Sequence, residues 1–261
     1  MKSLKQLGIF LFGISTLTVT LEAQPVLETF DRFELNWSVM KIHFYGEATV
    51  EQNQKSFSEA EKSAADDALL YAATAITNIR SEKGLGSGPK SLSNDLTKQA
   101  NLVGTNYFAD GRVRAEFESS LIRALESGSK DFKSDEPQAA QDSASSIVVT
   151  VKGLRGPRMI SAVYDEDGQI LHGLKDVSRS GFRKNGLGRW FYRNSAEANA
   201  YTGASPVTIE GVYSSGKLTV KKEDWEKVKG EHQRLLEESK VAYLLFGSGK
   251  ATAKSSEKPA L

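Results

Sequence analysis

One stretch, NWSVMKIHFYGEATVEQNQKSFSEAEKSAADDALLYAATAITNIR from Asn36 to Arg80, narrows the folds open to this chain more than any other. From Lys41 to Ala48 the side chains alternate, Ile42 and Phe44 on one face and His43 and Tyr45 on the other. A period of two marks a half-buried strand. Beyond it Phe57, Ala60, Ala64, Ala65, Ala68, Leu69, Ala72, Ala73, Ile76 and Ile79 recur at helical spacing, and Glu61, Lys62, Asp66 and Asp67 belong to the wet face. Ser56 with Glu59, and Ser58 with Glu61, each have the S-x-x-E spacing of a capping box, in which hydroxyl and carboxylate accept from backbone donors at the helix start. A stripe of alanine draws the helix axis close to its neighbour, and Gly46 lets another backbone approach the strand. The stretch specifies a scaffold, a strand feeding a long helix, and carries no group suited to chemistry.

The remaining chain supplies further strands. VRAEFES, within Tyr107 to Leu121, puts Val113, Ala115 and Phe117 on one face against Arg112, Arg114, Glu116 and Glu118. Ser93 to Val103 reads as a short second helix. SIVVTV, residues 146–151, has the continuous apolar run of a buried strand. Met159 to Tyr164 and Gln169 to His172 flank a D-G turn, and Pro206 to Tyr213 and Lys217 to Val220 flank Ser214, Ser215 and Gly216. Both pairs read as hairpins. EDWEKVKGEHQRLLEESK predicts a largely polar helix weakened locally by Gly230, and VAYLLF predicts a final buried strand. These elements predict an α+β fold, a mostly antiparallel sheet packed against the long Ala-rich helix and a C-terminal helix.

With 39% hydrophobic residues in 261, the chain can bury a substantial core. Its first 23 residues have the layout of an export signal: Lys2 and Lys5, the apolar run Leu7 to Leu21, then Ala23. Gly8, Gly13, Ser15 and several threonines interrupt that run, so cleavage is expected and no stable membrane span after it. The expected organisation is a signal peptide over 1–23, one α+β domain over 24–246 with a flexible excursion at 126–146, and a disordered tail at 247–261. Cysteine is absent, which excludes disulfides, thiolate metal sites, cysteine nucleophiles and lipid attachment through cysteine. Removing Lys2, Lys5 and Glu22 with the signal makes the basic and acidic counts equal, from 34 and 33 in the full chain. A neutral protein lacks the many phosphate-neutralising side chains of a general nucleic-acid binder.

Candidate chemistry is sparse. Gly84 to Ser91 has the length of a phosphate-binding loop, but Pro89 stands at its second glycine and the segment follows a helix. Asp165 and Asp167 suggest a calcium loop whose distal glutamate is missing. His43, His172 and His232 are isolated in sequence and form no H-x-H or H-E-x-x-H pattern. No enzymatic activity, metal or cofactor is expected from these motifs. The most distinctive surface candidate is DVSRSGFRKNGLGRWFYRNSAEANAY, residues 176–201, which holds Arg179, Phe182, Arg183, Lys184, Arg189, Trp190, Phe191, Tyr192 and Arg193 among glycines and polar residues. Arginine and aromatic side chains are enriched at interface hot spots, which makes these nine the candidate partner-binding residues. Trp190 and Phe191 could equally fold back as core, leaving the arginines solvated.

Three blocks carry a family resemblance. NWSVMKIHFYGEA with the helix through Arg80, SSIVVTVKGLRGPRMISAVYDEDGQILHG at 145–173, and WEKVKGEHQRLLEESKVAYLLF at 225–246 resemble in pattern and order the exported bacterial family related to the twenty-kilodalton surface lipoprotein. Within it the chain is most similar to the flagellar coiling proteins of the Leptospira type, in particular their B-type filament sheath component. The blocks cover a little under half the chain, and the missing lipidation cysteine separates it from the lipoprotein relatives. The resemblance implies a non-enzymatic structural subunit, periplasmic and associated with the flagellar filament, whose partners are other sheath or core proteins. The alternative is a periplasmic or outer-membrane-associated envelope protein that binds a partner or small ligand outside the flagellum.

Overall fold

The computed structural model describes residues 25–50, 56–82, 99–122, 132–134 and 143–246. The expected signal peptide, the glycine-rich segment 84–91, most of the 126–146 excursion and the 247–261 tail lie outside them. The first part of the fold comprises β1 (Leu27–Thr29), β2 (Phe33–Asn36), β3 (Lys41–Thr49), α1 (Phe57–Glu82), β4 (Asn101–Tyr107) and β5 (Arg112–Ser120). The second comprises β6 (Ser146–Lys152), β7 (Ala162–Tyr164), β8 (Ile170–Gly173), α2 (Arg179–Asn185), β9 (Arg189–Tyr192), α3 (Ala196–Thr202), β10 (Pro206–Ser214), β11 (Lys217–Val220), α4 (Lys222–Glu237) and β12 (Val241–Leu245). The class is α+β.

Among the described residues the first group forms a five-stranded antiparallel sheet in the order β1-β2-β3-β5-β4. Its inner face carries Leu35, Ile42, Phe44, Ala115 and Phe117, and α1 lies across it. The helix begins with the carboxylate half of the expected capping box: Glu59 Oε2 accepts from the Ser56 amide at 2.9 Å and the Ser56 hydroxyl at 3.2 Å, while the Glu59 amide donates to the Ser56 carbonyl at 3.0 Å and not to the hydroxyl. Ala60, Ala64, Ala68, Ala72 and Ile76, one residue every fourth position, are fully buried. That row is small because the strand beneath offers no room. A Cβ on Gly46 would sit 2.2 Å from the Ala64 carbonyl oxygen and 2.3 Å from the Ala68 nitrogen, so helix backbone rests on strand backbone. The opposite face is wet and ion-paired, with Arg114 on Glu47 at 2.7 Å and Lys41 on Glu118 at 2.6 Å. Such half-exposed pairs contribute ~0–1 kcal/mol each and serve chiefly to set register.

The short helix expected over Ser93 to Val103 gives way at Asn101 to a strand, Asn101–Tyr107, and residues 93–98 lie outside the described residues. Val103, Thr105 and Tyr107 favour a pleated backbone, and pairing with β5 supplies the tertiary contacts that decide between the two states.

The second group forms a seven-stranded mixed sheet, β8-β7-β11-β10-β6-β12-β9. β6, β9, β10 and β12 run parallel, β7 runs parallel to β11, and the two expected hairpins β7–β8 and β10–β11 are antiparallel. The parallel centre explains the unbroken apolar runs of β6 and β12, because both sheet faces are covered. Ile147, Val149, Val241 and Tyr243 face the main core with α2 and α4, whereas Val148 and Ala242 face Ala198 of α3. α4 bends at His232, whose φ of −138° leaves the helical range two residues beyond Gly230.

Because α1 sits directly on β3, Gly46→Ala is expected to destabilise the fold by ~1–3 kcal/mol or more, and Ala68→Leu by a similar amount. Leu70→Ala, at a position 66% exposed, should change stability by no more than ~0.5 kcal/mol. Urea denaturation of the three variants tests the contact, and a Gly46→Ala protein as stable as the parent would contradict it.

Candidate partner-binding region

Residues 176–201 form ordered secondary structure. The Ser178 hydroxyl accepts from the Gly181 amide at 3.0 Å and caps α2, which ends at Gly186 with φ of +67°. Gly188, at φ of +128°, carries the chain into β9, and a Cβ there would lie 2.4 Å from the Tyr243 ring. β9 then pairs with β12 in parallel.

This placement divides the nine candidate residues. Phe182, Trp190, Phe191 and Tyr192 are buried. The Phe182 ring lies 5.1 Å from Phe132, which belongs to the excursion at 126–146, and the Lys133 amide donates to the Val177 carbonyl at 3.0 Å. Trp190 packs 5.1 Å from the Tyr243 ring, and its indole N–H donates to the Arg158 carbonyl at 2.7 Å. Phe191 points to the other sheet face, 5.0 Å from Tyr201. These four aromatics are core, so they do not present the partner-contact surface that their composition suggested. A parallel strand whose two faces are both covered carries apolar residues on each, and RWFY carried that signal beneath its flanking charges.

The cations stay outside. Arg179 lies over the Phe132 ring at 5.4 Å and Arg193 over Phe246 at 5.3 Å, while Arg183 and Lys184 are exposed. Arg189 is half-buried, its guanidinium 5.2 Å from the Tyr201 ring, and one Nη donates to the Lys184 carbonyl at 2.6 Å. Burial pushes its pKa down, with Tyr201 opposing the shift.

Trp37 and Trp190, far apart in sequence, line one cavity of ≈ 80 Å³ together with Met40, Ile122, Leu174 and Leu187. Only the tertiary fold unites these positions. Trp225 lies elsewhere, tilted against His172 at 5.5 Å. His172 and His232 are buried and His43 is half-exposed. Asp165 is spent within its own turn, where Oδ1 accepts from the Gln169 amide at 2.7 Å and the Asp167 amide at 3.1 Å.

Compared with known proteins, the chain matches no family model and no curated protein.

Trp190→Ala should cost ~3–5 kcal/mol in chemical denaturation, as a large aromatic deleted from a core does. Arg183→Ala should stay within ~0.5 kcal/mol. His172 generates a pH dependence. Burial, aided by Lys229 and opposed by Asp176, pushes its pKa from 6.5 down to about 4. On acidification the unfolded chain takes the proton first, so this contribution is complete above pH 6.5 and is lost as pH falls towards 4. The full loss is on the order of 3 kcal/mol. Between neutral pH and pH 4 the parent should lose that much more stability than His172→Phe, and equal losses would contradict the assignment.

Proposed function

We propose that this protein is a non-enzymatic structural subunit of a periplasmic flagellar filament sheath, where it contributes to filament coiling and motility. The blocks that carry the family resemblance support this reading, because they form the framework of both sheets: β3 with α1, β6 to β8, and α4 with β12. A framework of this kind, without a catalytic motif, leaves function to its surfaces.

The observation that carries an assembly role is the outer edge of the five-stranded sheet. β4 is its terminal strand, and among the described residues no strand pairs with its outer side. Leu102 is 58% exposed, Val103 54% and Tyr107 56%, and the exposed Phe57 ring stands 5.9 Å from Tyr107. An open edge with apolar side chains is a template for a partner's strand or surface, and a protein that keeps one gains by having it covered. The partners on this reading are other sheath or core proteins of the filament, and a neutral mature chain argues against nucleic acid.

A second reading, an envelope protein that takes a small apolar ligand, draws on the cavity between Trp37 and Trp190.

Fractionation separates the two. Purified periplasmic filaments should contain this chain in stoichiometric amount, and Leu102→Lys with Val103→Lys should abolish co-sedimentation while the circular dichroism spectrum stays unchanged. A chain recovered away from filaments would overturn the sheath assignment. Unchanged co-sedimentation by the folded double variant would exclude the β4 edge as the contact.

A further inference from the structure

On the α3 side of the seven-stranded sheet, at the ends where the parallel strands β9 and β12 begin, two cations meet over one ring and a third is bonded to one of them through its backbone. Arg189 opens β9, Lys240 immediately precedes β12, and Lys184 lies in the last turn of α2. The Arg189 guanidinium is 5.2 Å from the centroid of the Tyr201 ring and the Lys240 ammonium is 4.6 Å from the same centroid. Arg189 is tied to the third member through its hydrogen bond to the Lys184 carbonyl.

None of the three has a carboxylate partner among the described residues. This sets them apart from Lys41, Arg112, Arg114, Lys133 and Lys152, each of which is ion-paired. The Arg189 Nε–H is buried and donates to nothing. Glu238, the carboxylate whose charge reaches Lys240, is already paired with Arg234 at 3.1 Å. Tyr201 provides no counter-charge either: burial raises its pKa far above neutrality and its hydroxyl is committed to the Ser239 carbonyl at 3.4 Å. Burial, then Lys184, then Arg189 push the Lys240 pKa down, and Glu238 only partly opposes them. Mutual repulsion is stored at one spot of a protein whose overall charge is balanced.

We propose that Lys184, Arg189 and Lys240 form a binding site for a phosphate-type oxyanion, free or as a lipid headgroup, over the Tyr201 ring. The aromatic ring orients two of the cationic heads and excludes water from one side. The anion supplies the missing counter-charge to all three, through charge-assisted hydrogen bonds of which a guanidinium and two ammonium groups can donate several. Ligand binding and Lys240 protonation are linked, so the bound anion returns the Lys240 pKa towards its ordinary value.

The test is calorimetric titration of the full chain with inorganic phosphate, against sodium chloride at matched ionic strength, with flotation on vesicles of phosphatidylglycerol as a parallel arm. Saturable phosphate binding is expected, weakened at least ~tenfold in Lys184→Gln/Lys240→Gln. Lys217→Gln/Lys222→Gln removes the same net charge from exposed positions on and next to the β10–β11 hairpin and should bind as the parent does. Flotation lost in the first double variant and kept in the second, without free phosphate binding, assigns the site to a headgroup. Binding to neither probe, or equal loss in both double variants, overturns the site.

Discussion

The fold depends on how one edge strand is closed. β9 ends the seven-stranded sheet, and with apolar residues on both faces it cannot leave its outer backbone groups to water. The turn between β2 and β3 satisfies those of Trp190. The Trp190 amide donates to the Trp37 carbonyl at 3.3 Å, and the Ser38 hydroxyl donates to the Trp190 carbonyl at 2.9 Å while accepting from the Val26 amide at 2.9 Å. Ser38 is 2% exposed, so each of these bonds forms away from competing water, where an unmade one would cost ~1–3 kcal/mol. The same contact seals Trp37 and Trp190 and makes the cores of the two sheets continuous.

The rest of the arrangement follows from that junction. Once both faces of β9 are covered, Trp190 and Tyr192 must face the main core and Phe191 the cluster under α3, because strand side chains alternate. The arginines and lysines between and around them are then forced to the rim. The segment that composition marked as a surface candidate holds a strand buried on both faces with a cationic margin, the alternative in which its aromatics fold back as core. Its aromatics contribute stability and its cations contribute charge, and the two properties belong to different surfaces of one short stretch.

The five-stranded sheet has a different economy of space. Helix α1 approaches β3 as closely as Gly46 permits, which requires alanine along its contact row. Leucine in those positions would gain apolar area but hold the helix off the strand. On the far side of the same sheet Arg114 reaches Glu47 and stacks on Tyr45 at 4.1 Å, on a solvated surface whose charges pair with one another. Among the described residues the β4 edge and the cation cluster around Tyr201 both lie without a partner, at different places in the fold.

Local pattern carried much of this. The strand at Lys41, the helix from Phe57 with Ser56 and Glu59 at its start, both hairpins, the final helix and the final strand are written in periods of two and 3.6 and in turn residues that act within a few positions of themselves. The sequence by itself also determined that Gly46 would meet a backbone and that alanine would line the meeting. Only the tertiary structure decided which strands run parallel, since SIVVTV and VAYLLF read alike in either direction. It also decided that Leu102 and Val103 belong to an edge strand, that Trp37 meets Trp190, and that Arg189 and Lys240 share the Tyr201 ring. The physical reason is common to all of these: pairing between strands and convergence of distant side chains are energies of contact across the fold, and no periodicity along the chain encodes which distant residue completes them.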